Sequence, residues 1–181
     1  MIFHASDFYE IPEALSNNQS LKEHMLNLIA SKGISGKVIE GGDRAKKFRS
    51  ILSKLTTGEL SLDQAIKAVD SELSRHTSIF ADENKVFASG WSERLIRTQF
   101  SRFYNQAILE SELSKGNPEC YVPPSSQEKT SSQCSQLLAG RSHDVSYLLR
   151  LLVKSYEDGN WDKTPKIPDH PHCTHVVKPL S

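Results

Sequence analysis

Four segments whose apolar residues recur at helical spacing, separated by glycine-containing breaks, fill residues 20–116 of the chain. Capping-box patterns, Ser20-x-x-Glu23 and Ser61-x-x-Gln64, begin the first and the third segment. No stretch of this region alternates polar and apolar residues convincingly over the length of a strand. The pattern therefore predicts a bundle of four helices, over about residues 20–33, 43–58, 61–76 and 83–116.

The flanking segments have a different character. Residues 1–19 show no sustained hydrophobic period, and we predict only a polar arm there. After Pro118, the strand-like run Cys120–Val122 precedes a loop-like stretch and a helical pattern that begins at Asp144. The prolines of residues 160–181 exclude a long helix at that end. The predicted fold is mainly α, with a polar arm, a helical bundle and a small irregular α+β C-terminal lobe at residues 1–19, 20–116 and 117–181.

The composition argues against several classes of protein. The 22 lysines and arginines balance the 22 aspartates and glutamates, so no net charge attracts nucleic acid. The apolar runs are far shorter than the roughly 20 residues of a membrane helix, and no secretory signal pattern is present, so we expect no membrane association. Three cysteines are an odd number. They favour free thiols in a reducing compartment over a disulfide framework.

The densest chemistry lies in the segment Asp169-His170-Pro171-His172-Cys173-Thr174-His175, which holds four potential metal ligands. Thiolate and imidazole are the donors that tetrahedral zinc prefers, and the spacing His170-x-x-Cys173 lets two side chains converge on one ion. Cys134 supplies a second half-site upstream. We predict one structural zinc ion, and the alternative is a hydrogen-bonded knot of the same residues. The predicted ligands are Cys134, His170, Cys173 and His175, with His172 as the alternative fourth ligand and His143 as an outside candidate.

Several short motifs follow one another along residues 56–181. The two longest are Lys129-Thr130-Ser131-x-x-Cys134-x-x-Leu137-x-x-Gly140 and Pro168-x-His170-Pro171-x-Cys173. Shorter ones stand upstream: Gly58-Glu59-Leu60-Ser61, Ile96-Arg97-Thr98-Gln99 and Tyr104-Asn105-Gln106-Ala107. In this order they resemble the motifs of the phage Mu F-like head morphogenesis family, whose members are minor head or minor capsid proteins. The chain departs from the family pattern at Gln99, at Thr174, in an extra residue before Gly140 and in a single Cys134 where Cys-x-x-Cys is frequent.

The resemblance implies a structural component of a tailed phage or prophage virion, in the head interior or at the portal vertex, and in the host cytoplasm during assembly. It implies portal and capsid proteins as partners, non-specific contact with packaged DNA or a role in its ejection, and no catalysis. The residues agree, because no nucleophile elbow, phosphate-binding loop, dinucleotide turn or His-Glu-x-x-His motif is present.

Two alternatives stay open at this point: a metal-dependent His-Cys nuclease and a zinc-knuckle adaptor of a bacterial cell. Two interpretations of the basic residues on the helices are also open: they contact DNA phosphates, or they form solvated helix surface. Phe100, Phe103 and Tyr104 have the helical spacing of core residues rather than of a base-stacking platform. The predicted phosphate contacts are Arg44, Lys46, Lys47, Arg49, Arg94 and Arg97.

Overall fold

The computed structural model describes residues 1–180. The structure is 53% helical, with seven α-helices and one three-stranded antiparallel sheet over these residues, so the prediction of a mainly α fold with a small α+β part is confirmed. No helix within the described range is long and apolar enough to cross a membrane. The helices are α1 (Ile11–Asn17), α2 (Gln19–Ser31), α3 (Arg44–Thr57), α4 (Leu62–Glu72), α5 (Trp91–Ser114), α6 (Gln133–Leu137) and α7 (Val145–Leu152), and the strands are β1 (Glu119–Val122), β2 (Arg141–Asp144) and β3 (Lys178–Pro179).

The sequence predicted capping boxes at the starts of α2 and α4, and one of these two predictions is confirmed. The capping box of α4 is present, because Gln64 N–H donates to Ser61 Oγ at 3.2 Å and Ser61 N–H donates to Gln64 Oε1 at 2.9 Å. The predicted box at Ser20 is wrong. The cap of α2 lies two residues earlier, at Asn18, whose side chain accepts a hydrogen bond from Leu21 N–H at 3.2 Å.

Helix α5 is the centre of the bundle and packs against α2, α3, α4 and α7. Phe100, Phe103 and Tyr104 are buried, which confirms their prediction as core residues. The Tyr104 hydroxyl accepts a hydrogen bond from the backbone N–H of Ala5 at 2.8 Å. Burial of this hydroxyl raises the pKa of Tyr104 to about 12.

Residues 73–90 form the α4–α5 connection, and the sequence predicted that the long helix begins within it, at about residue 83. They form turns instead, and α5 begins only after Gly90, whose φ of 82° is left-handed. The buried guanidinium of Arg44 donates to two backbone carbonyls at the start of the connection. Arg75 donates to the carbonyl of Ala81 at 2.6 Å. The centre of the Phe87 ring lies 5.9 Å from the guanidinium of Arg44 and 5.6 Å from that of Arg75. The two arginine side chains therefore order this connection in place of an α-helix.

Residues 1–19, hereafter the N-terminal arm, have more structure than the sequence predicted. They contain a 3-10 turn, Phe8–Glu10, followed directly by α1. The Asp7 side chain caps the turn by accepting from the N–H groups of Tyr9 and Glu10. The arm buries five apolar side chains in the core of the protein: Ala5, Phe8, Ile11, Ala14 and Leu15.

Residues 117–180, hereafter the C-terminal lobe, are built on β1. This strand pairs with β2 on one side and with β3 on the other, and all the pairings are antiparallel. Asp144 caps α7 by accepting from Tyr147 N–H at 2.7 Å, as its place in the sequence predicted. Helix α7 continues into a π-helical turn, Val153–Glu157, and packs on α5. The lobe and the bundle therefore share one hydrophobic core.

Candidate metal centre

Two segments that are distant in sequence meet on one side of the C-terminal lobe. The first runs from the loop after β1 into α6, whose first turn carries Cys134. The side chain of Ser132 caps α6 and so sets the orientation of that turn. The second is the Pro-rich segment of residues 168–175, which carries the predicted histidines and Cys173. The predicted contact between these two segments is present.

Four side chains form what we call the metal-ligand cluster: Glu128, Cys134, His170 and Cys173. Their donor atoms all lie within 4.8 Å of one another. The Sγ atom of Cys134 is 3.9 Å from Sγ of Cys173 and 3.8 Å from Nε2 of His170, and Nε2 of His170 is 3.0 Å from Oε1 of Glu128. Zinc bonds of about 2.3 Å to sulfur and about 2.0 Å to nitrogen or oxygen give tetrahedral edges of roughly 3.3 to 3.8 Å. The cluster therefore has nearly the dimensions of one zinc coordination shell.

A fifth donor lies at the edge of the cluster. Nδ1 of His175 is 4.0 Å from Sγ of Cys173 and 4.0 Å from Oε2 of Glu128, and the His175 side chain is buried. Glu128 and His175 are thus the two candidates for a fourth ligand beside Cys134, His170 and Cys173.

The two remaining histidine candidates lie outside the cluster. His172 is exposed and lines a surface cavity. Nε2 of His143 hydrogen-bonds to the carbonyl oxygen of Leu138 at 2.8 Å, on the β2 side of the lobe. Neither histidine therefore belongs to the metal-ligand cluster.

Glu128 was not predicted from the sequence. It stands in a loop rich in serine and glutamine, outside the motifs and outside any ligand spacing. Its proximity to Cys134 was the one available indication. Only the fold brings its carboxylate to the histidine of the other segment.

The pKa values of the two thiols in the cluster are shifted in opposite directions. The hydrogen bond from the Cys173 thiol lowers the pKa of Cys134 well below the usual value of a thiol, and the same bond raises the pKa of Cys173. The hydrogen bond to Cys134 also raises the pKa of His170, with Glu128 acting in the same direction. The first proton lost from the thiol pair therefore leaves a Cys134 thiolate beside His170. A divalent cation that binds here would displace the protons of Cys173 and His170, so its affinity falls in acid.

Outer contacts hold the ligands in place. Oε2 of Glu128 accepts from the N–H of Thr174 at 2.8 Å and from its hydroxyl at 3.1 Å. The Thr174 hydroxyl also lies 2.8 Å from Oγ of Ser125. Oγ of Ser132 lies 3.3 Å from Sγ of Cys134. Such contacts restrict ligand rotation, which favours metal binding over competing arrangements.

The cluster is accessible from one side. A cavity of about 380 Å³ lies against His170 and Glu128, and its other lining residues include Lys129, Ser131 and His172. The two cysteines, by contrast, are buried. An ion therefore has a route to the histidine and carboxylate side of the cluster, while the thiols face the interior.

The third cysteine belongs to the sheet. Cys120 lies in β1 opposite His143, and its side chain is fully buried. Burial raises the pKa of the Cys120 thiol to about 12, so it stays protonated and unreactive at neutral pH. Cys120 is therefore a matched internal control for experiments on Cys134.

Two of the predicted phosphate contacts are wrong. The Arg44 side chain is buried and its guanidinium donates to backbone carbonyls. Arg97 is also buried, and its guanidinium lies 4.7 Å from the centre of the Phe8 ring. Neither group can reach a phosphate, because packing within the protein already surrounds it.

The other four basic residues differ in how free they are. Arg49 donates to the carbonyl oxygens at the end of α2, and Arg94 donates to those that precede α5. Lys46 and Lys47 are exposed on α3. Contact with DNA stays a prediction for these four, and the two lysines have the most accessible charges.

The fold and this cluster define a mainly α protein with a candidate metal-binding group in its C-terminal lobe. Comparison with known proteins finds no matching family model, no matching curated protein and no matching solved structure.

Proposed function

We propose that this chain is a structural minor head protein of a tailed phage or prophage, whose C-terminal lobe is closed by one zinc ion. One observation carries the proposal. The two motifs that most resemble the phage Mu F-like family are the same two segments that meet at the metal-ligand cluster. Two motifs that build one structural site must lie next to each other in the fold, as these two segments do.

The donor set favours zinc. Two thiolates and an imidazole are soft or borderline ligands, which suit zinc better than magnesium or calcium. The fourth ligand in the proposal is Glu128 or His175. The lobe gains from such an ion, since its strands have at most four residues and its last segment is rich in proline. Ligand binding then adds to the folding free energy where regular structure is sparse.

A structural role is favoured over the nuclease alternative. A His-Cys nuclease needs a general-base histidine and an open metal position on a hairpin-helix scaffold. Strands β1 and β2 with α7 have that order, yet none of the four cluster residues lies on them. Nε2 of His170 is instead paired with Sγ of Cys134 and Oε1 of Glu128, so this nitrogen is not free to activate water.

Metal content tests the zinc part. We expect protein purified without added metal to carry about one equivalent of zinc by elemental analysis, and Cys134→Ser to lose it. Cys120→Ser is the matched control and should keep the metal. Wild-type protein that contains far less than one equivalent, and whose melting curve does not respond to added zinc, would leave the cluster as a hydrogen-bonded knot.

Particle association tests the head-protein part. The chain, produced with a small tag in cells that assemble phage particles, should sediment with DNA-filled heads or with a portal ring. A zinc-knuckle adaptor would instead remain with cellular proteins in every fraction.

Plasmid incubation separates the structural role from the nuclease alternative. With magnesium or zinc present, we expect intact plasmid after incubation with purified protein. Clean cleavage that His170→Ala abolishes would reject the structural role.

A further inference from the structure

Thr174 connects the metal-ligand cluster to the N-terminal arm. It lies in the chain between Cys173 and His175. Its N–H and hydroxyl both donate to Oε2 of Glu128. Its carbonyl oxygen faces the other way and accepts from the backbone N–H of Phe8 at 2.8 Å. One buried residue thus contacts the cluster with one side and the arm with the other.

A second polar contact joins the arm to the same part of the lobe. Nζ of Lys178 donates to Oγ of Ser6 at 2.9 Å, three residues beyond His175. Two polar contacts join the arm to the bundle: Ala5 N–H donates to the Tyr104 hydroxyl at 2.8 Å, and Nη1 of Arg97 donates to the Tyr9 hydroxyl at 3.2 Å. The position of residues 5–8 therefore depends in good part on how firmly the chain from residue 173 onward is held.

Apolar contacts complete the docking of the arm. The Phe8 ring packs edge-to-face on Phe100 with ring centres 6.1 Å apart, and Arg97 covers its other side. These contacts require that Phe8 stay in its position beside Thr174. If the 173–175 segment moved, the arm would lose its backbone partner and the edge of this packing together.

We propose that the metal centre acts as a latch for the N-terminal arm: a bound ion holds residues 173–175 in place and so keeps residues 5–10 docked, and loss of the ion releases them. The proposal rests on the proposed zinc site. An ion that binds only the docked form shifts the equilibrium toward it by up to about 100-fold at a free concentration 100 times its dissociation constant. The coupling is reciprocal, so a change that weakens docking of the arm also weakens ion binding.

Hydrogen exchange on the full chain tests the latch. We expect the peptide that contains the Phe8 amide to exchange more slowly with saturating zinc than with a chelator, by a factor of ten to about 100. A peptide from α4, which packs mainly on α3 and α5, should exchange at the same rate in both conditions. Cys134→Ser should abolish the zinc effect on the arm, and Cys120→Ser should retain it.

A variant outside the metal site tests reciprocity. Tyr104→Phe removes the hydroxyl that accepts from Ala5 and leaves the lobe untouched. We expect it to speed exchange of the arm and to raise the zinc dissociation constant, measured by competition with a colorimetric chelator; faster exchange with an unchanged dissociation constant in a variant whose arm is mostly undocked would contradict the latch. Far-UV circular dichroism would verify that this variant stays folded, and Ser6→Ala offers a second and milder change.

The outcomes separate the latch from the zinc site. One equivalent of bound zinc with unchanged exchange at residues 5–10 would overturn the latch and leave the zinc proposal standing. Equal slowing in the arm and in α4 would mean general stabilisation, which also overturns the latch. Absence of bound zinc would overturn both.

Discussion

The helical bundle and the C-terminal lobe use different chemistry to hold a fixed structure. The bundle buries large aromatic side chains, such as Phe48 on α3 and Phe103 on α5, and it also encloses a few polar groups such as the Arg102 guanidinium. The centre of the lobe is a set of buried thiols, an imidazole and a carboxylate. Long helices bury apolar faces efficiently, whereas short strands and a proline-rich segment do not. The comparison teaches that the side chains of the metal-ligand cluster help to hold the lobe in one structure, as side-chain packing does in the bundle.

The largest expected effect comes from the bundle. Phe48→Ala removes a fully buried ring from α3, and we expect it to lower the free energy of unfolding by about 3 to 5 kcal/mol. Urea unfolding followed by circular dichroism measures this loss. The same loss should be found with zinc and with a chelator, and a loss that depends on zinc would show that the ion also changes the packing around Phe48.

The next effect belongs to the lobe. We expect Cys134→Ser to remove the zinc-dependent stabilisation, which is about 2.7 kcal/mol at free zinc 100 times the dissociation constant. Fluorescence of Trp161, in a Trp91→Phe background, reports on the lobe, while circular dichroism should show the helices retained. Cys120→Ser controls for placing a hydroxyl at a buried cysteine. If both substitutions behave alike, the metal-ligand cluster has no special role in stability.

A smaller effect is expected at the start of α4. Ser61→Ala removes the side chain that accepts from Gln64 N–H, and caps of this kind contribute about 1 kcal/mol. Thermal unfolding would measure the change. Because α4 packs mainly on α3 and α5 and carries none of the cluster residues, the decrease should be the same with and without zinc, and a zinc-dependent decrease would contradict this expectation.

The smallest effect concerns acid. Burial lowers the pKa of His4, with Lys115 acting in the same direction, so the folded arm favours the neutral imidazole. A histidine whose pKa is lower when folded contributes full stability above its unfolded pKa of about 6.5, and this contribution is lost as the pH falls below that value. His4→Gln should therefore reduce the loss of stability between pH 7 and 5, measured in a chelator to exclude metal release. The exposed residue His76 provides the control substitution, His76→Gln.

The sequence predicted the parts of the fold that have long, regular patterns. Helices α3 and α4 each bury one apolar face over several turns, and the aromatic residues Phe100, Phe103 and Tyr104 of α5 recur at helical spacing, so these helices are visible without a structure. The contact between Cys134 and the His170–Cys173 segment was predicted because histidine and cysteine are concentrated in that segment and Cys134 supplies a second half-site upstream. These predictions depended on local repetition and on rare residue types.

Other features depend on distant contacts and left no local signal. Helix α1 has seven residues, too few for a clear period, and it is ordered by burial against the bundle. Glu128 belongs to the cluster only because Thr174 holds its carboxylate there. Arg44 and Arg97 resembled surface cations, yet tertiary packing encloses both side chains. A charge in the sequence does not indicate whether its partner is water, a backbone carbonyl or an aromatic ring.

The α4–α5 connection has a consequence for engineering this chain. Long segments without helix or strand are the usual places to insert a tag or to create new termini. Here Arg75 donates both to the carbonyl of Ala81 and to the side chain of Asn84, and its guanidinium faces Phe87. An insertion between residues 81 and 84 would separate groups that one arginine side chain clamps together, so this exposed connection should resist insertion much as a short helix would.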